Sequence, residues 1–306
     1  MARFPDCAPE DRYWLYHPYS PEDLHMKIAL LGVGRMGHEL GVHLLTAGHE
    51  VTAWNRTASA VERLRDAGAL QAESPEEAVR DADVVMTVLF GPDTVREVVL
   101  SGLELPAEAV WFDVTTVSPE DAREFADYAV AAGVRYVHGP VIGSLAPARA
   151  GQLGVLLGGA SKDVDVVEPL AALWGDAERL RRVATPSDAA TGKLLANLAL
   201  GVTLQGLVEA LRLGTANGLD AAGVLDLLKE TGLGVIAGMK GAVITEGTFG
   251  DTQFSADLLA KDARLMLRST PLPLPAVTAV LQSLTDAQRA GAGDHDIAVI
   301  TKPELG

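Results

Sequence analysis

A chain of 306 residues exceeds what one hydrophobic core usually serves, so two domains are expected, and 48% apolar content can fill both. With 41 acidic against 25 basic residues the formal net charge is −16, which argues against a nucleic-acid or anionic-membrane partner. The single cysteine, Cys7, excludes an internal disulfide framework and fits a reducing cytoplasm.

Residues 1–25 are rich in proline and aromatics but lack a basic start and an apolar core, so they do not read as a secretory signal. Met26 could itself begin the protein, and the segment reads as an N-terminal extension without catalytic residues. No uninterrupted apolar run reaches about 18 residues, so no membrane-spanning segment is expected.

From Lys27 to Val51 an apolar strand, Ile28–Leu31, runs into Gly32-Val33-Gly34-Arg35-Met36-Gly37, and a helix follows to near Gly48. A G-x-G-x-x-G turn between strand and helix is the arrangement that holds a dinucleotide pyrophosphate. Gly32 makes the tight turn, Gly34 admits the phosphates to the backbone, and Gly37 lets the helix lie close on the sheet. The free N–H groups and positive dipole end of that helix face the phosphates.

A second strand, Val51–Trp54, ends in Asn55, Arg56 and Thr57, where NAD-selective folds carry an acid for the ribose hydroxyl. An amide followed by a guanidinium suits a 2′-phosphate instead. NADP(H) is therefore the expected cofactor, with NAD(H) as the alternative. The bland reading is that Asn55 and Arg56 only begin a solvated turn.

A helix is expected over Ala58–Ala67, and Ser74, Pro75 and Glu77 open another. Val84–Leu89 is a continuous apolar run, as a strand covered on both faces should be, and it delivers Leu89 and Phe90 to the cofactor. Trp111–Val114 repeats the design. Thr115 and Thr116 follow at its carboxyl end, where ligands of such sheets lie, and a helix from Ser118 and Pro119 runs to about Ala132. Val134–Gly159 reads as two strands joined by an irregular loop, followed by a helix over Val164–Trp174 and a short strand around Arg181–Val183. This alternation predicts a Rossmann-type, doubly wound parallel sheet over residues 26–187.

From Ser187 onward no strand alternation is visible, and residues 188–306 read as an all-α C-terminal domain. It is broken at Gly218, Gly232–Gly234, Gly247–Gly250 and after Pro271. Its first helix, about Asp188–Ala216, carries Lys193 and Asn197 four residues apart on one face. No metal is expected.

The ordered blocks LGVGRMG with LLTAGHEV and WNRT, DVTTVSP, PVIGSLAPARAGQLGVLLGG, and GKLLANL with a later FSADLLAKD resemble the β-hydroxyacid dehydrogenase family. That family includes 3-hydroxyisobutyrate dehydrogenase and the glyoxylate or succinic semialdehyde reductases, and the resemblance covers Lys27 to about Pro303. It implies that Lys193 is the catalytic lysine, exchanging a proton with the substrate oxygen as hydride moves to or from the nicotinamide, and that Asn197 helps hold substrate and lysine. It further implies substrate-carboxylate contacts from Thr115 and the Gly143–Ser144 backbone, Thr116 beside the nicotinamide ribose, and Lys261 approaching the cofactor from the helical domain. A homodimer or higher oligomer built through the helical domains is implied as well.

An ammonium within reach of a carbonyl oxygen stabilises the developing charge and delivers the proton. Burial beside Leu194 and Leu195 should lower that lysine's pKa. Ile142 stands where the family usually has serine, so a hydroxyl donor to the substrate carboxylate is missing. A hydrogen bond to a charged group contributes about 1.5–3 kcal/mol. The expected substrate is therefore a less tightly held acid, or a bulkier apolar aldehyde or ketone, with Arg149 as a candidate offset. Two other readings compete: an NADPH-dependent imine reductase, in which an Asp or Tyr commonly replaces Lys193, and a non-catalytic NADPH-binding scaffold, which the retention of Lys193 and Asn197 opposes.

Overall fold

The structure is a computed structural model and describes residues 25–302. The expectations for the N-terminal extension fall on residues that, save His25, lie outside the described ones.

The strand β1 (Lys27–Leu31) exposes Lys27 and buries the next four residues, as a strand covered on both faces requires. It pairs in parallel with β2 (Glu50–Trp54) and with β4 (Val84–Thr87). β3 (Leu70–Gln71) lies outside β2, while β5 (Val110–Asp113) and β6 (Arg135–His138) continue the other side, giving the order β3-β2-β1-β4-β5-β6. Strand order reverses between β1 and β4, which opens a crevice at the carboxyl ends of the strands. The helices α1 (Arg35–Thr46), α2 (Glu62–Asp66), α3 (Pro75–Val79), α4 (Pro92–Val95) and α5 (Pro119–Ala131) make the connections. Two of these starts are capped by side chains: Ser118 and Asp121 form a capping box on α5, and Ser74 caps α3.

Three details differ from the sequence reading. The helix expected over Ala58–Ala67 is split into a 3-10 turn, Ala58–Ala60, and α2. Val134–Gly159 holds three strands rather than two, because β7 (Val141–Ile142) and a short helix α6 (Leu145–Arg149) interrupt the loop before β8 (Leu153–Gly159). β8 runs antiparallel to both β6 and β7. After α7 (Ser161–Ala172), β9 (Gly175–Val183) is a nine-residue strand parallel to β8. It is an outer strand whose exposed Glu178, Arg179, Arg181 and Arg182 hide its character in the sequence.

Beyond Val183 the described chain is helical. α8 (Pro186–Ala216) spans 31 residues, with Pro186 in its first turn and a capping box between Thr185 and Asp188. It is followed by α9 (Ala221–Leu228), α10 (Gly234–Glu246), α11 (Ala256–Arg268) and α12 (Pro275–Arg289). By length and composition alone α8 is apolar enough to cross a membrane, although Lys193, Asn197 and Gln205 interrupt its apolar run. In the fold it is the central helix of the helical half: Leu204, Leu207, Val208 and Leu211 pack with Val224, Ile236, Leu259 and Leu284.

Candidate active site

The glycine turn shows which of its glycines serve the fold and which serves a ligand. Gly32 has φ +104, and a Cβ there would collide with the Val88 carbonyl. A Cβ at Gly37 would collide with the Gly32 carbonyl. At Gly34 an added Cβ meets nothing within 4 Å, so that position opens onto free space at the start of α1. First-turn N–H groups of a helix have no intrahelical acceptor, so this opening suits a phosphate. Asn55 splints the turn: its Oδ1 accepts from the Val33 N–H at 3.0 Å, and its Nδ2 donates to the Thr57 carbonyl at 3.0 Å.

A cleft of about 750 Å³ runs between the carboxyl edge of the sheet and the helical half. That volume is in the range of small-molecule and cofactor sites. The glycine turn lines it through Gly32, Gly34, Arg35, Met36 and Gly37, and the end of β2 through Asn55, Arg56 and Thr57. Leu89, Phe90, Thr115, Thr116 and Gly143 add the remaining strand ends, and Lys193 and Lys261 reach in from the helices. Val33 is off the cleft wall: its side chain is buried in the core and its N–H donates to Asn55. Arg56 is exposed, with its guanidinium 3.7 Å from Glu97, a second cleft residue the sequence did not single out. An exposed pair of this kind is worth about 0–1 kcal/mol, so the guanidinium is easily redirected to an anionic ligand.

At the helical wall, Lys193 is 7% exposed and its Nζ donates to Asn197 Oδ1 at 3.2 Å. Asn197 Nδ2 donates to Asp262 Oδ2 at 2.6 Å. The other Asp262 oxygen lies 2.7 Å from Lys261 Nζ, which also donates to the Thr116 carbonyl at 3.0 Å and sits 5.9 Å from the centre of the Phe90 ring. Burial pushes the Lys193 ammonium down to about 8; the Asp262 carboxylate opposes the fall and the Lys261 charge adds to it. A lysine so placed can give or take a proton near neutral pH. Asn197 itself stands behind Lys193 and off the cleft wall, whereas Asp262, absent from the sequence reading, is on it.

The loop after β6 is placed differently from expectation. Ile142 pairs with Gly154 across β7 and β8 and packs over it, and neither Ile142 nor Ser144 is on the cleft wall. Their neighbours Val141, Gly143 and Leu145 are, as strand alternation dictates. Arg149 is drawn away from the cleft to Glu39 on α1, at 2.9 Å. Beside it, His43 Nε2 lies 2.7 Å from the Ala148 carbonyl and must be the donor there. Opposite, Asp296 accepts from the buried Lys240 at 2.8 Å and from the Gln253 N–H at 3.1 Å, which pins the Gln253–Phe254 segment to the cleft mouth. Among the described residues no group of three His, Cys, Asp or Glu could hold a metal.

Residues 27–183 match the model of the NAD binding domain of 6-phosphogluconate dehydrogenase, and residues 188–303 match that of the NAD-binding of NADP-dependent 3-hydroxyisobutyrate dehydrogenase. The chain is similar to 3-hydroxyisobutyrate dehydrogenase of Pseudomonas aeruginosa, 33% identical over 67% of this chain and 69% of that one. It is also similar to glyoxylate/succinic semialdehyde reductase 1 of Arabidopsis thaliana, 29% identical over 90% of this chain and 97% of that one. Among solved structures the fold is similar to 3-hydroxyisobutyrate dehydrogenase of Mycobacterium tuberculosis, with TM-score 0.78 and 24% identity over 90% of this chain and 98% of that one. An imine reductase from Myxococcus stipitatus shares the fold at TM-score 0.64 and 22% identity, with the same coverage. The glycine turn, the two matched halves and these relatives together show that the chain belongs to the β-hydroxyacid dehydrogenase family of NAD(P)-dependent oxidoreductases that act on CH–OH groups.

Proposed function

We propose that the protein is an NADP(H)-dependent reductase of a small carbonyl compound, with Lys193 as the proton donor. The cofactor, when bound, supplies the hydride to the carbonyl carbon. Lys193 Nζ gives its proton to the carbonyl oxygen, the C=O bond becomes CH–OH, and the neutral amine regains a proton from solvent. The reverse reaction uses the amine as base. The observation that carries this reading is the Lys193–Asn197–Asp262 chain, which holds a buried lysine of lowered pKa on the cleft wall.

Arg56 beside the end of β2 supports the 2′-phosphate, because a guanidinium offers phosphate a charged, planar fork. Thr115 and the Gly143 backbone are the expected carboxylate contacts. With Val141 and Leu145 making the adjoining wall apolar, a loosely held acid or an apolar aldehyde or ketone fits best. Exposed Leu213, Leu227, Val235 and Met239 on α8, α9 and α10 support a homodimer formed through the helical half.

The test is NADPH consumption with glyoxylate, succinic semialdehyde, other small oxo acids and a cyclic imine, comparing the protein with its Lys193→Ala variant. Carbonyl turnover abolished by the substitution supports the reading. Undiminished turnover removes Lys193 from its role, and turnover of the imine alone favours imine reduction.

A further inference from the structure

Beneath the Thr115–Thr116 loop lies a closed polar cluster that none of the roles above uses. Asp113, at the end of β5, is fully buried together with Thr87 and His138. Its Oδ1 accepts from the Thr87 hydroxyl at 2.7 Å and from the Thr115 N–H at 3.0 Å. Its Oδ2 accepts from the Tyr136 hydroxyl at 3.2 Å and lies 3.5 Å from His138 Nδ1. The Trp111 indole N–H donates to Thr87 Oγ1 at 3.0 Å, so the threonine proton is committed to Asp113. Thr115 passes the constraint outward, because its Oγ1 accepts from the Leu89 N–H at 3.1 Å.

A carboxylate taken out of water is costly unless donors surround it, and an apolar side chain would fill the same space without that cost. Here the donors come from β4, β6 and the loop after β5, so one side chain at the carboxyl end of β5 is tied to both neighbouring strands. Burial, and after it the Asp113 charge, push the Tyr136 phenol well above its ordinary pKa, so it stays a donor. The residues held in this way, Leu89 and Thr115, both line the cleft.

We propose that Asp113 is a positioning residue for the nicotinamide half of the cofactor, fixing the backbone of Leu89 and Thr115 beneath it. The inference rests on the reading that the nicotinamide lies beside Thr116 and Lys193. It predicts a selective defect. A generally loosened sheet would weaken every part of the dinucleotide site, whereas loss of Asp113 should spare the adenosine and pyrophosphate end.

The experiment measures the affinity of NADPH and of ADP-ribose, which lacks the nicotinamide, for the protein and its Asp113→Ala and Asp113→Asn variants. Asp113→Ala is expected to weaken NADPH about tenfold while leaving ADP-ribose unchanged. Asp113→Asn, whose Oδ1 still accepts from Thr87 and Thr115, should recover most of that loss. Unchanged NADPH affinity, or equal loss of both ligands, overturns the proposal. If Asp113→Ala does not fold, Thr87→Val takes its place, with the same selectivity expected and the same outcomes overturning it. Emission of bound NADPH separates the two premises. If Lys193→Ala leaves that emission unaltered, the placement of the nicotinamide fails. If it alters the emission while Asp113→Ala shows no NADPH-selective loss, only the role of Asp113 fails.

Discussion

The Lys193 ammonium and the Asp262 carboxylate are joined through a single amide, that of Asn197, which accepts from the lysine at 3.2 Å and donates to the aspartate at 2.6 Å. A carboxylate can only accept, so Asp262 fixes which way the amide faces and leaves its oxygen for the lysine. Lys193→Ala is expected to lower kcat by about 10²–10⁴, the usual share of a general acid. Carbonyl reduction needs the ammonium, so its rate should fall as pH rises through about 8, while alcohol oxidation, which needs the amine, should rise. Asp262→Asn removes the charge that opposes the lowering, so the midpoint should move to lower pH in a kcat–pH profile.

The same lysine should cost stability. Its folded pKa, about 8, lies below the ordinary 10.5, so the penalty of burying the charge is full below the folded value and fades as pH rises toward the unfolded one. Lys193→Met is expected to be inactive yet to raise Tm at neutral pH, by much less near pH 10.5. Thermal melts at the two pH values check this, and an equal gain at both would contradict it.

Two glycines of one motif should fail in different ways. Gly34→Ala has room for its methyl group in the protein alone, so the variant should melt normally and lose cofactor affinity. Gly37→Ala drives a Cβ into the Gly32 carbonyl and should lower Tm before any ligand is added. Calorimetry with and without NADPH distinguishes them.

Arg56→Asp is expected to weaken NADPH by about 10- to 100-fold, the worth of one or two charge-assisted bonds, with little effect on NADH. Titration of both cofactors measures the ratio. Equal losses would place Arg56 outside the 2′-phosphate site.

Ile142→Ser should not create a better site for carboxylates. The Ile142 side chain packs over Gly154 rather than into the cleft, so the expected result is a lower Tm with substrate preference unchanged. A fall in KM for small oxo acids in this variant would show that the loop turns Ile142 inward when ligand binds.

The sheet was readable because its signals are local. The strand of Ile28–Leu31, the three glycines and the Ser118 capping box each lie within a few consecutive residues. β9 was read too short because it is an outer strand dominated by exposed Glu and Arg, and α6 was missed because it is a five-residue helix containing Pro147. In the site, Lys193 and Asn197 share a helix face and could be paired by spacing. Asp262 stands 65 residues from Asn197 and beside Lys261, where an acid next to a base reads as a solvated pair; only the fold brings it to the amide. The strand phase that turns Val141 and Gly143 inward and Ile142 away is set by pairing with β8, which sequence alone does not give.

The contacts from Glu39 and His43 on α1 to Arg149 and Ala148 on α6 have a mechanical result. They join the helix that follows the glycine turn to the segment carrying Gly143 and Leu145, so two walls of the cleft are fastened to each other within the sheet half. On the other side of the cleft the helical half is tied to the sheet by Lys261, which donates to the Thr116 carbonyl at 3.0 Å.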